Sequence, residues 1–356
     1  MKIIICCLNL YGGGAERVAS LWANGFHSRG HEVILFLAED KITYDIPNVK
    51  VQIIGNGAST LVQYIKWYRI FRKEFKKQKP DVFVSVNHPW APIAKLAAWG
   101  LKTKVISTEH NAYEKPDYAP MGVADKLHKF FLNKFVDAVT VLTNADKRLV
   151  EKTQNNVYVM PNPLAFTPID DMPTKKKQIV AVGRLNSWHL KGFDTLIKAW
   201  GKIAERNPEW KLKIYGYGKE DVQSFLYNQQ PQLRENAQLQ IHDFEENIVE
   251  KYKESEIFIL SSRYEGFGMA LVEAMSQGCA CVACDFKGRQ REIIDDGLNG
   301  YIAEVDSIDS LSIKMQMLID RESERKRLQK NAIIKSHTFS LSGVMDSWSK
   351  ILNAIC

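Results

Sequence analysis

Ile257-Phe-Ile-Leu-Ser-Ser-Arg-Tyr-Glu-Gly-Phe-Gly-Met-Ala-Leu-Val-Glu273 starts as a four-residue apolar run, passes through two glycines, and continues at helical spacing toward Gly278. Strand, glycine loop and helix in that order form the repeating unit of a parallel sheet covered by helices. Working outward, the same alternation runs from end to end. Strands are predicted near Lys2–Leu8, Glu32–Leu37, Val51–Ile54, Val82–Val86, Lys104–Thr108, Ala138–Leu142 and Val157–Val159, joined by helices of about 10 to 19 residues. A second series is predicted at Gln178–Gly183, Leu212–Tyr215, Leu239–His242, Ile257–Leu260, Cys279–Ala283 and Gly300–Ile302, and an amphipathic helix at Leu341–Ile355 closes the chain. The fold class is α/β, doubly wound. In such sheets ligands bind beyond the C-terminal ends of strands, so functional residues are expected in the loops that follow them.

With 356 residues the chain exceeds the size at which single cores stop growing, about 250 to 300 residues, and fits two domains. Met160-Pro-Asn-Pro163 interrupts the pattern, and residues 164–177 are polar, ending in three lysines. The predicted organisation is a domain over 1–163, a linker over 164–177, a second domain over 178–335, and a C-terminal helix over 336–356 crossing back to the first domain. Hydrophobic residues make up 45% and charged residues 25%, with no apolar run long enough to span a bilayer. The apolar start is followed by Asn9, Tyr11 and three glycines in place of a cleavage site, and reads as a buried first strand. Five of the six cysteines lie in or beside apolar segments at neither disulfide nor zinc spacing, which points to the reducing cytosol. A net charge of +7 suits anionic surfaces or phosphates without selecting between them, and no nucleic-acid partner is expected.

In the quoted stretch, Gly266 and Gly268 allow backbone amides to approach a ligand, and the helix that follows presents its positive end, a combination suited to a diphosphate. Glu265 and Glu273 bracket the loop. Carboxylates beside a diphosphate need other partners, and vicinal hydroxyls of a sugar or ribose fit because a carboxylate only accepts hydrogen bonds. Two solvated glutamates at a helix start are the plainer alternative. Gly183-Arg184-Leu185 follows the first strand of the second half, and Lys191-Gly192 precedes a new helix. Two cations at strand ends can neutralise a departing diphosphate, the arginine as a bidentate fork and the lysine as a point charge. Either alone is compatible with an ordinary surface residue. Tyr11-Gly-Gly-Gly-Ala-Glu-Arg17 lacks the spacing of a dinucleotide fingerprint, which disfavours a nicotinamide-dependent dehydrogenase.

The glutamates separated by seven residues, the first within Tyr-Glu-Gly-Phe-Gly, with Gly-Arg and Lys-Gly upstream, resemble the signature of family 4 retaining glycosyltransferases of the GT-B fold. The resemblance covers nearly the whole chain. It implies two facing Rossmann-like domains with a cleft between them, and a nucleotide-sugar donor held by the C-terminal half. By the same resemblance Glu265 contacts donor sugar hydroxyls, Glu273 grips the ribose, and Arg184 and Lys191 face the diphosphate without need of a metal or cofactor. Gly183, Gly216, Gly266, Phe267, Gly268, Met269 and Ala270 are expected around the donor, Gly13 and Gly14 near its phosphates. His110 is expected to reach the donor sugar, and Glu16, Arg17, Asn87 and His88 are acceptor-side candidates. Ile241-His-Asp-Phe244 departs from the family's usual Phe-x-Gly near the base. A uridine donor is favoured over a guanosine one.

The implied reaction is sugar transfer to a hydroxyl of a glycan or lipid-linked acceptor with retention, the acceptor attacking on the face the diphosphate leaves, in cell-surface polysaccharide or glycan assembly. Residues 61–79 place Leu61, Tyr64, Ile65, Tyr68, Phe71 and Phe75 at helical spacing among seven basic residues, a pattern fitting either an anionic membrane surface or a stripe packed on the sheet. The expected location is cytoplasmic, with a peripheral position on the inner membrane face open. Two rivals are a same-fold nucleotide-sugar epimerase and a non-catalytic nucleotide-sugar binding protein.

Overall fold

A computed structural model describes residues 1–55, 61–87, 89–116 and 118–356. The chain divides into two compact units, Met1–Ala165 together with Leu341–Cys356, and Phe166–Ser340.

The first unit is a seven-stranded sheet in the order β3-β2-β1-β4-β5-β6-β7, built from Lys2–Cys7, Glu32–Leu37, Lys50–Ile53, Val82–Val86, Lys104–Thr108, Ala138–Val141 and Val157–Val159 taken as β1 to β7. Every adjacent pair is parallel. Buried side chains on both faces of the inner strands explain why these read as continuous apolar runs, whereas the edge strand β3 has no buried residue. One face carries a cluster of Trp67, Phe71, Phe75, Phe83 and Trp90. Elsewhere in this unit the helix Gly14–Ser28 packs on the terminal helix Leu341–Ile355, with Trp22 edge-on to Trp348 at 4.9 Å and Arg29 paired to Asp346 at 2.6 Å. The expectation of 10 to 19 residues per helix holds for Gly14–Ser28 and Leu61–Gln78. It fails for Trp90–Ala97 and Asn144–Val150, and between β5 and β6 the chain forms three short turns, Val123–Lys126, Leu127–Phe131 and Leu132–Phe135.

The second unit is a six-stranded sheet, β10-β9-β8-β11-β12-β13, from Lys176–Val182, Lys211–Tyr215, Leu239–His242, Ser255–Leu260, Ala280–Cys284 and Tyr301–Ala303 taken as β8 to β13. All its pairs are parallel. The polar stretch before β8 behaves differently from a free tether. Ile169 N–H donates to the Ser276 carbonyl and Gln277 to the Thr167 carbonyl, which fastens the stretch to the second unit. Lys175 Nζ donates to the carbonyls of Tyr252, Lys253, Ser255 and Gln277 at 3.0 to 3.2 Å, an ammonium set among carbonyls at two helix C-terminal ends. Lys176 and Lys177 already belong to β8.

In each sheet the order in which strands are added reverses once. In the first the reversal lies between β1 and β4, in the second between β8 and β11. Diverging connections open a crevice beyond the strand ends at such a point, and four of the loops singled out from sequence follow these four strands.

Candidate functional site

In the second unit the loops after β8, β9 and β11 lie against one another. A Cβ on Gly216 would stand 1.8 Å from the Gly183 carbonyl oxygen, so the loop after β9 meets the loop after β8 through bare backbone. Gly192 adopts φ +63, and a Cβ there would sit 2.0 Å from the Ser261 carbonyl. Only glycine meets both demands at that position. The Ser261 hydroxyl donates to the Lys191 carbonyl at 2.8 Å. These contacts bring the Lys191 turn to the start of the glycine loop.

There Lys191 Nζ lies 2.8 Å from Glu265 Oε2, both side chains about one-fifth exposed. The same oxygen accepts from Ser262 Oγ at 3.2 Å. The resemblance placed Lys191 on phosphate and Glu265 on sugar hydroxyls; in the structure the two are paired with each other. Arg184 is exposed where β8 ends. Gly268 is the N-cap of the helix Met269–Ser276, whose first residues, Met269 and Ala270, are half-buried at its positive end. Glu273 is buried one turn further on, where the Tyr252 hydroxyl donates to its Oε2 at 3.5 Å. Gly266 is buried at the loop. Phe267 departs from the expectation: its ring packs edge-on against Phe339 at 5.5 Å and is core, which leaves only its backbone to the loop. Arg289 is also fully buried.

Arg263 carried no expectation. It is buried, forks onto Asp194 at 2.7 and 2.9 Å, and reaches Asp306, Thr195 and the His189 carbonyl. Burial alone would lower its pKa, but the bonds to Asp194 and Asp306 outweigh it and drive the value well above the ordinary one. Asp306 is correspondingly held below the usual carboxylate range by that guanidinium. An arginine between two apolar runs, with acidic partners 69 and 43 residues away, leaves no local signal in sequence.

In the first unit, β1 is followed by the glycine loop and the helix Gly14–Ser28. Glu16 folds back over Gly13 so closely that a Cβ there would meet its Oε2 at 1.8 Å, setting the carboxylate at the helix N-terminus, where the helix dipole favours it. Tyr44 donates to the Gly13 carbonyl, and Arg17 lies in the same first turn. Asn87, with φ +51 after β4, accepts from Asn111 Nδ2 at 2.9 Å and from the His110 N–H at 3.4 Å. His88 lies outside the described residues. The His110 ring follows β5 and is engaged at both nitrogens, Nδ1 with Asn162 Oδ1 at 2.9 Å and Nε2 with Thr108 Oγ1 at 3.2 Å, beside Trp22 at 5.2 Å. Burial pushes its pKa down to about 4, against the weaker opposing effects of Asn162 and Glu109. The neutral ring then donates from Nδ1 and accepts at Nε2, so the Thr108 proton is shared between His110 and the Ser85 carbonyl. The imidazole expected to reach a sugar is tied inward in this structure.

The family described as "Glycosyl transferases group 1" matches residues 167–335, and "Glycosyltransferase Family 4" matches residues 12–165. The chain is 27% identical to the amylovoran biosynthesis glycosyltransferase AmsD of Erwinia amylovora over 353 residues, covering 96% of each chain. It is 28% identical over 378 residues to a Campylobacter jejuni α-1,4-N-acetyl-D-galactosaminyltransferase named for a diNAcBac-PP-undecaprenol-linked glycan, covering 99% and 98% of the two chains. The solved structure of Anabaena Alr3699/HepE in complex with UDP is similar at a TM-score of 0.82 and 18% identity, covering 99% of this chain and 100% of that one. The fold is that of the GT-B glycosyltransferases.

Proposed function

From the premise that the chain belongs to the group 1 glycosyl transferases, we propose that it moves a sugar from UDP to a hydroxyl of a lipid-linked glycan with retention, without a metal. The observation that carries this reading is the Lys191–Glu265 pair, seated between the Gly183-Arg184 loop and the Glu265–Gly268 loop where the second sheet reverses. An arriving diphosphate competes for the lysine, and the released carboxylate becomes free to accept from sugar hydroxyls. Arg184 and Lys191 then stabilise the negative charge that grows as the bond from the anomeric carbon to the diphosphate oxygen breaks. The acceptor hydroxyl forms the new bond on that same face, and its proton passes to the departing diphosphate. Glu273, one turn into the Met269–Ser276 helix, takes the ribose. Asn87, Glu16 and Arg17 of the first unit serve the acceptor side, and His110 the donor sugar.

Support for UDP comes from a structural relative solved with that nucleotide, and for a lipid-linked acceptor from the Campylobacter enzyme's name. The helix Leu61–Gln78 fits delivery of such an acceptor. It buries Trp67, Phe71 and Phe75, yet leaves Val62, Ile65 and Tyr68 exposed among exposed lysines and arginines, an arrangement suited to the surface of an anionic bilayer. Among the described residues no helix is long and apolar enough to cross one.

Calorimetric titration with UDP, GDP and NAD in metal-free buffer, on wild type and Glu273→Ala, tests the donor reading. Binding of UDP that the substitution weakens about tenfold or more is expected, the scale of losing a charged hydrogen bond. Folded protein that binds neither UDP nor GDP overturns it.

A further inference from the structure

We propose that Arg263 is a positioning residue for the donor diphosphate, acting through Lys191; the assignment rests on the donor reading above. The guanidinium has five N–H groups, and all lie within reach of an acceptor. Nε and Nη2 reach Asp306 Oδ1 at 3.0 and 2.5 Å, Nη1 and Nη2 grip the two oxygens of Asp194, Nη2 also donates to Thr195 Oγ1, and Nη1 to the His189 carbonyl. Its own backbone N–H donates to the Leu190 carbonyl at 2.8 Å. Two consecutive carbonyls of the turn that ends in Lys191 are therefore held by one residue, while Ser261, two positions earlier, holds the Lys191 carbonyl itself.

The other partners fix what that turn leads into and what closes over it. Asp194 and Thr195 open the helix Phe193–Gly201 directly after Gly192. Asp306 follows β13 with φ +61, a left-handed conformation for a residue bearing a side chain, and its Oδ1 also accepts from Thr195 at 2.8 Å. A non-glycine residue keeps such a conformation when its surroundings determine it, and the arginine and threonine do so here. Arg263 thus ties the end of β11 to the Lys191 turn, to the next helix and to the loop after β13, two residues before Glu265. A point-charge ammonium cannot span two carboxylates and a carbonyl at once, so lysine is a poor replacement despite its charge.

The test compares wild type, Arg263→Lys, Lys191→Ala and the double variant by titration with UDP and UMP, alongside thermal unfolding and turnover. If Arg263 works through Lys191, Arg263→Lys weakens UDP binding about tenfold and UMP, which lacks the second phosphate, less than about twofold; in the Lys191→Ala background it adds almost nothing. Equal loss of UDP and UMP affinity, or a full additional loss in the double variant, overturns the proposal and leaves Arg263 as scaffold. Should Arg263→Lys fail to fold, Asp306→Asn, which tolerates the left-handed backbone, is expected to show the same selective pattern at about threefold. A Lys191→Ala protein that binds UDP as wild type does would instead sink the donor reading itself.

Discussion

Both sheets reverse their strand order once, yet the groups gathered beyond the strand ends differ in kind between the two units. In the second unit the loops hold formal charges, Lys191 against Glu265 and Arg263 between Asp194 and Asp306, with glycines where backbone meets backbone. In the first unit His110, Asn162, Thr108, Asn87 and Asn111 form a network of neutral hydrogen bonds beside Trp22. The contrast follows from the ligands proposed. A diphosphate carries charge that must be met by fixed charge, and a paired lysine is a cation held ready at low cost. A hydroxyl acceptor carries none, and hydrogen-bonding side chains suffice to orient it, while the buried Glu109–Lys129 pair next to His110 neutralises itself at 2.8 Å.

Breaking the charged half should produce the largest effect. Lys191→Ala and Arg184→Ala each remove positive charge from the departing diphosphate, and turnover is expected to fall about 100- to 1,000-fold in steady-state assays. Unchanged turnover in both would remove the basis of the comparison. Next in size is the backbone that seats the pair. Gly192→Ala places a Cβ against the Ser261 carbonyl at φ +63, and a loss of about 1–3 kcal/mol is expected in denaturant unfolding, with weaker UDP binding.

The neutral half should respond most gently, and through pH. His110 is held at about 4 when folded, below its ordinary 6.5, so the unfolded chain binds more protons between those values. Stability from this residue is fully present above about pH 6.5 and is lost as pH falls toward about 4. His110→Gln should flatten that part of the melting-temperature profile while leaving UDP affinity unchanged. A profile that keeps its slope would assign the acid sensitivity to other groups.

Much of the donor site is legible in sequence because its signals are local. Glu265, Gly266, Gly268 and Glu273 sit within nine residues after an apolar run, and period and glycine placement report strand, loop and helix directly. The surroundings of other residues are not legible there for want of long-range information. Phe267 lies in the same motif, but whether its ring faces ligand or core depends on Phe339, 72 residues away. Lys175 looks like one more charge in a basic run until the carbonyls around it are seen.

By itself, then, the sequence determined the α/β class, the order of the strands along the chain, and which residues follow their C-terminal ends, since each depends on periodicity within a dozen neighbours. Tertiary structure alone decided who pairs with whom: Lys191 with a glutamate 74 positions on, His110 with an asparagine 52 positions on, Arg263 with one aspartate at a helix start and another in a loop. Parallel sheets join neighbouring strands through long crossovers, so the loops that meet at the strand ends are distant in the chain, and their chemistry exists only once the sheet has formed.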